Sequence, residues 1–150
     1  MLGRECVFNK TSGNTGLRVF FTKVLRIHNC HTCCKRWYFT FSDEECTTPA
    51  PIDGVVYMVH GNGANKNFLR VRQIEGICEK VHQGIVRVGL WVGNWAGYGN
   101  ADAATGWNSV SRIYVEEIPR PRCKVDLFGI LAQLRVQSNR WLKTDKSRTF

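Results

Sequence analysis

Three cysteines, Cys30, Cys33 and Cys34, fall within five positions, with His31 between them and His28 just before. Thiol and imidazole groups this close together admit three chemistries: a zinc site, a thiol nucleophile with its base, or halves of disulfides. A structural zinc site needs four well-placed ligands, usually as two pairs separated by a loop. Cys30 and Cys33 make one such pair, but no second C-x-x-C or H-x-x-x-H pair follows, and His60 and His82 lie far apart. A thiol nucleophile needs a depressed pKa and an oriented histidine. None of the four histidines sits in a recognisable motif, and the chain lacks G-x-S-x-G, H-E-x-x-H, a P-loop and G-x-G-x-x-G. The expectation is therefore a non-enzymatic chain with no cofactor and no metal. Oxidised cystine is the remaining account, and it persists only outside the reducing cytosol. Adjacent Cys33 and Cys34 point to opposite faces of an extended backbone, so each would reach a different partner. The cysteines number seven, at positions 6, 30, 33, 34, 46, 78 and 123, and Cys123 is the candidate for the odd thiol. Asn9-Lys10-Thr11 is an N-glycosylation sequon that suits the same compartment.

The elements that would hold these groups read as strands. Leu17–Ile27 is rich in β-branched and aromatic residues whose polar members fall out of helical step. Trp37–Phe41, Val55–Val59, Phe68–Arg72, Ile85–Val92 and Ser111–Ile118 continue the series at short intervals. Gly61-Asn62-Gly63 marks a tight turn, and Pro49 and Pro51 fall in a connection. No strand–helix–strand alternation occurs up to residue 119, which excludes a Rossmann or barrel fold. Many short strands at this spacing predict an all-β fold, an antiparallel sandwich or jelly roll, over residues 1–120. Beyond Pro119 the character changes. Leu127, Ile130, Leu131 and Leu134 recur at helical spacing, so residues 121–150 read as a basic C-terminal extension with a short helix or disorder.

Net charge is +9, unevenly spread: residues 1–119 contribute +3 and residues 120–150 contribute +6. The body is thus only mildly basic. The charge admits a polyanion such as a sulfated glycan, but nothing argues for nucleic acid. No apolar run reaches the length needed to cross a bilayer, and MLGRECVF shows no signal-peptide pattern.

Several strings then carry a resemblance. They include Thr105-Gly106-Trp107-Asn108-Ser109-Val110-Ser111-Arg112-Ile113, followed by Glu116-Glu117-Ile118-Pro119. Cys33-Cys34-Lys35-Arg36-Trp37-Tyr38-Phe39-Thr40-Phe41, Glu75-Gly76-Ile77-Cys78-Glu79 and Trp91-Val92-Gly93 occur in the same order. Across roughly residues 3 to 120 the chain resembles the C-terminal globular domain of the collagen triple helix repeat containing protein 1 family. The resemblance implies a secreted extracellular-matrix glycoprotein with a trimeric domain similar to complement-q/TNF jelly rolls. It also implies binding to Wnt proteins and to Frizzled and Ror-type receptors, in noncanonical Wnt signalling and cell migration. The signal peptide and collagen repeat would belong to a parent chain. Cys6, Cys30, Cys33, Cys34, Cys46 and Cys78 occupy positions matching the family's and are expected in disulfides, whereas a family cysteine near Trp95 is absent. The family's own sequon near residues 61–67 is also absent, so Asn9 is the glycosylation candidate. Trp37, Phe39 and Phe41 alternate with Tyr38 and Thr40; in a trimer one set would fill the sandwich and the other would meet a neighbouring subunit, and the alternative is that both sets are core. Two other readings stand beside this one: a collagen-associated matrix assembly domain and a carbohydrate-binding jelly roll.

Overall fold

Nine strands form among the described residues, most of them with alternating apolar and polar side chains. The computed structural model describes residues 3–30, 32–59, 67–98, 100–106, 108 and 110–120. The strands are β1 (Gly3–Lys10), β2 (Thr15–His28), β3 (Thr32–Phe41), β4 (Glu44–Glu45) and β5 (Asp53–Val59). They continue with β6 (Asn67–Cys78), β7 (Gly84–Asn94), β8 (Asp102–Thr105) and β9 (Ile113–Pro119). The expected turn at Gly61-Asn62-Gly63, the odd thiol Cys123 and the extension over 121–150 lie outside the described residues.

Two antiparallel sheets result. In the first, which we call sheet A, the order is β1-β7-β3, with β4 and β5 both pairing the far side of β3. In the second, sheet B, β6 pairs one side of β2, and β8 and β9 share the other. The all-β sandwich expected from the sequence is therefore the fold the chain adopts.

Period two decides what goes inside. Leu17, Val19, Phe21, Leu25 and Ile27 of β2 are buried, while Arg18 and Thr22 between them face solvent. From sheet A, Trp37, Phe39 and Phe41 of β3 and Val86, Val88 and Leu90 of β7 meet them in one core. The Trp37 indole would leave a buried donor, and it is satisfied: Nε1 donates to Thr105 Oγ1 of β8 at 3.0 Å. The sheets approach closely beside β6. A Cβ at Gly76 would lie 2.8 Å from Ile52, so only glycine fits there.

Two turns depend on particular side chains. Ser42 and Asp43 join β3 to β4, both with positive φ (51° and 74°), which is the backbone of a two-residue hairpin loop matched to strand twist. The β1–β2 connection is clamped by Glu117 of β9. Its carboxylate accepts from Thr11 N (2.8 Å), Thr11 Oγ1 (2.7 Å), Ser12 N (2.9 Å) and Thr15 Oγ1. The hydrogen bonds from Thr15, Thr11 and Ser12 stabilise the ionised form and pull its pKa down to about 2.

Candidate binding face

The cysteines mark how the sheets are joined. Cys46, just past β4 of sheet A, is bridged to Cys78 at the end of β6 in sheet B. Cys30 is bridged to Cys33 across the corner where the chain passes from β2 to β3. Cys6 and Cys34 stand as thiols, which departs from the expectation that all six are bridged. Register explains why these two do not bridge each other. Cys6 lies opposite Val88, which lies opposite Phe41, and Cys34 is seven residues further along β3, about 23 Å at strand rise. Burial pushes both thiols above their ordinary pKa, so neither is an activated nucleophile. The Trp95 backbone N–H donates to the Cys34 carbonyl at 3.1 Å. The position where the resemblance places a further cysteine is thus beside Cys34, and here it offers no sulfur.

Cys33 and Cys34 do point oppositely, as extended backbone requires. Cys33 lies in the core, and Cys34 shares the outward side of β3 with Arg36, Tyr38 and Thr40. This outer face of sheet A is the most apolar exposed surface among the described residues. On β5, Val55, Tyr57 and Val59 are exposed while Val56 and Met58 between them are buried. Trp95 and Tyr98 follow β7 and are also exposed, and Tyr98 meets Tyr57 edge-on with ring centroids 5.3 Å apart.

Glycines make the middle of the face flat. A Cβ at Gly3 would lie 2.1 Å from the Trp91 ring, and one at Gly89 would lie 2.5 Å from its Nε1. The indole therefore lies in a trough between β1 and β7 where neighbouring side chains are missing. Its N–H donates to Thr40 Oγ1 at 2.7 Å, which fixes the ring in place. Beside it, the Arg36 guanidinium sits 4.8 Å from the Tyr38 ring centroid and 5.9 Å from that of Trp95.

The arginines on this face are paired with carboxylates. Arg36 donates to Glu45 at 2.9 and 2.5 Å and to Asp53 at 2.5 Å, and these bonds raise its pKa further, so it stays ionised. Arg87 pairs with Asp43 at the far end. A small hollow of 280 Å³ opens between Tyr38, Thr40, Asp43, Glu45 and Trp91. The face thus offers rigid rings, a cation held between them and no unpaired arginine, which suits contact with another protein surface. The glycosylation candidate Asn9 is exposed at the end of β1, opposite Ile85. Six residues of β7 separate Ile85 from Trp91, about 20 Å, so Asn9 lies at the opposite end from the ring cluster.

Sequence reasoning separated Tyr38 and Thr40 from Trp37, Phe39 and Phe41 as two sides of one strand without assigning which side faces outward. It did not single out Val55, Tyr57, Val59, Trp95 or Tyr98, although the unbroken apolar run at 55–59 carried a signal. A strand apolar on both sides is covered on both sides.

The family model for the CTHRC1 C-terminal domain matches residues 2–115. The chain belongs to that family. It is accordingly an extracellular protein of the CTHRC1 kind, and two disulfides fit such a location. No solved structure matches it.

Proposed function

We propose that this chain is the binding module of a secreted extracellular-matrix protein that associates as a homotrimer through the outer face of sheet A. It presents its remaining surface to Wnt proteins and to Frizzled and Ror-type receptors, in noncanonical Wnt signalling and cell migration. The observation that carries the reading is the run Val55-Val56-Tyr57-Met58-Val59. Its even members enter the core and its odd members are left on an open face beside Trp95 and Tyr98. In a single copy these side chains contact water, and a second copy covers them. Three copies hold three receptor surfaces together and raise the effective concentration of each. A glycan on Asn9 is compatible with this association, because it would extend from the end of the face remote from the rings. No step of the reading requires a catalytic group.

The experiment pairs light scattering with a binding assay against a Frizzled cysteine-rich domain. The wild-type chain is expected to run as a trimer and bind the receptor domain. Tyr57→Asp with Trp95→Asp is expected to run as a monomer with unchanged circular dichroism and weakened binding. A wild-type monomer at micromolar concentration overturns the trimer. A trimer that ignores the receptor domain instead leaves a collagen-associated assembly domain. A second reading, a carbohydrate-binding sandwich, is favoured by the hollow that places Trp91 and Tyr38 next to two carboxylates. A trimer that binds neutral oligosaccharide and no receptor would select it.

A further inference from the structure

A cluster of cations lies at one edge of the other sheet. Strand β6 is the edge of sheet B, and its Arg70 and Arg72 lie two residues apart on the same side, with side-chain origins separated by about 7 Å. On that side Arg72 faces Lys23 of β2 directly, and Arg70 faces Leu25. The same stretch of β2 carries Arg26 on its other side. Residues 22–28 and 67–73 thus hold four cations and no carboxylate. Like charges directly opposite each other weaken a strand pair, so Lys23 against Arg72 costs stability.

The side toward which Arg70 and Arg72 project is the one that carries core residues further along β6, Ile74 and Cys78. Arg70 and Arg72 are nevertheless exposed, because the opposite sheet no longer covers them. Arg70 is also held in position. Its guanidinium sits 4.8 Å from the Phe68 ring centroid and donates to the Leu69 carbonyl at 2.8 Å. Arg72 makes no ion pair or hydrogen bond among the described residues. The nearest carboxylate along β6, Glu75, is taken by Arg18 and Gln73.

We propose that Arg70 and Arg72, with Lys23 beside them, form a binding site for a sulfated glycosaminoglycan chain laid along the β6 edge. Guarding a strand edge against another strand needs charge of either sign and does not call for a cation opposite a cation. A row of arginines on one side of a straight strand matches a linear polyanion, and the planar guanidinium donates two N–H groups to a sulfate as it does to a phosphate. A lipid surface fits less well. Val71, the exposed apolar residue between the arginines, projects to the opposite side of β6 and cannot insert with them. The site is independent of the trimer, because it uses the other sheet.

The test uses the full chain, so that every variant keeps the same basic tail. Binding to immobilised heparin is measured across salt for wild type, Arg70→Gln/Arg72→Gln and the charge-matched Arg4→Gln/Arg112→Gln. Arg4 and Arg112 are exposed elsewhere and carry no described partner. Treating heparin as a linear polyanion like nucleic acid, loss of two contacts lowers the salt slope by roughly 1.4 to 1.8 and the affinity at physiological salt by roughly 15- to 30-fold. The control pair is expected to lose less than about threefold, in line with a general charge effect alone. The Arg70/Arg72 variant is expected to melt at or above the wild-type temperature, since one like-charge pair is relieved. In the wild type, heparin is expected to shield Arg70 and Arg72 from an arginine-modifying reagent while Arg112 reacts, a result that requires no variant to fold. Equal losses in the two double variants overturn the site, as does absence of heparin binding. Equal binding to desulfated heparin overturns sulfate recognition. Binding to phosphatidylserine vesicles without heparin binding assigns the arginines to a membrane and overturns the proposal.

Discussion

Removing the Cys46–Cys78 bridge tests whether the two sheets are held together through the unfolded chain or through the core. The bridge closes a loop of 32 residues and joins sheet A to sheet B. Restricting the unfolded chain over that loop is worth about 3.7 kcal/mol, against less than about 2 kcal/mol for the Cys30–Cys33 bridge, whose separation is only 3. A folded unit of about 120 residues has an unfolding entropy of about 0.25 kcal/mol/K. Cys46→Ala/Cys78→Ala should therefore lower the melting temperature by about 15 °C, and Cys30→Ala/Cys33→Ala by less than about 8 °C. Calorimetry of both variants, and of the wild type with and without dithiothreitol, provides the measurement. The reduced wild type keeps its sulfurs in place, so it separates loop closure from the cavity that alanine leaves. Equal shifts for the two bridges, or a reduced wild type that melts with the oxidised one, would refute the chain-entropy argument.

Two further outcomes are expected. Glu117 titrates at about 2 when folded, below its ordinary 4.5, so its clamp stabilises the chain fully above the ordinary value and is lost as pH falls toward 2. Urea midpoints measured between about pH 6 and pH 2 should fall less steeply for Glu117→Gln than for wild type, and parallel curves would show that the clamp adds nothing. Gly89→Ala should destabilise by about 1–3 kcal/mol and alter tryptophan fluorescence, because its methyl group meets the Trp91 indole and Thr40 Oγ1 at 2.5 and 2.7 Å. Chemical denaturation read by fluorescence checks both effects, and an unchanged midpoint would mean that Trp91 is free to move aside.

The strands that form the core were legible because their apolar residues recur at period two, as in 17–27 and 85–92. Three strands were not. β1 reads Gly-Arg-Glu-Cys-Val-Phe-Asn-Lys, in which charge masks the inward Cys6 and Phe8, and β8 is Asp-Ala-Ala-Thr, with almost no strand preference. β4 is two glutamates whose pairing follows from the Ser42-Asp43 hairpin loop, and nothing in that dipeptide announces positive φ at both positions. The bridges were legible as chemistry but not as pairs. Connectivity depends on which strand ends meet, and Cys46 reaches Cys78 only because β4 and β6 lie in facing sheets. The aromatic face was half legible, since Tyr38 belongs to a visible alternation whereas Trp91 lies flat only because Gly3 and Gly89 are its neighbours in register.

Charge shows how the two sheets come to differ in use. Overall charge on residues 1–119 is small, and composition alone suggests a bland surface. Sheet A spends its cations locally: Arg36 is matched by Glu45 and Asp53, and Arg87 by Asp43, leaving rings and aliphatic groups as the exposed chemistry. Arg18 of sheet B is likewise matched, by Glu75 and Glu116. With those carboxylates committed, Arg72 at the edge of β6 makes no ion pair among the described residues. A surface apolar with its arginines paired on one sheet, and cationic along the edge of the other, attracts two different kinds of partner without either competing for the same residues. The division comes from where the acids sit and not from how many there are. Adding a single carboxylate on the arginine side, as in Lys23→Glu directly opposite Arg72, should blunt polyanion binding and leave the face of sheet A untouched.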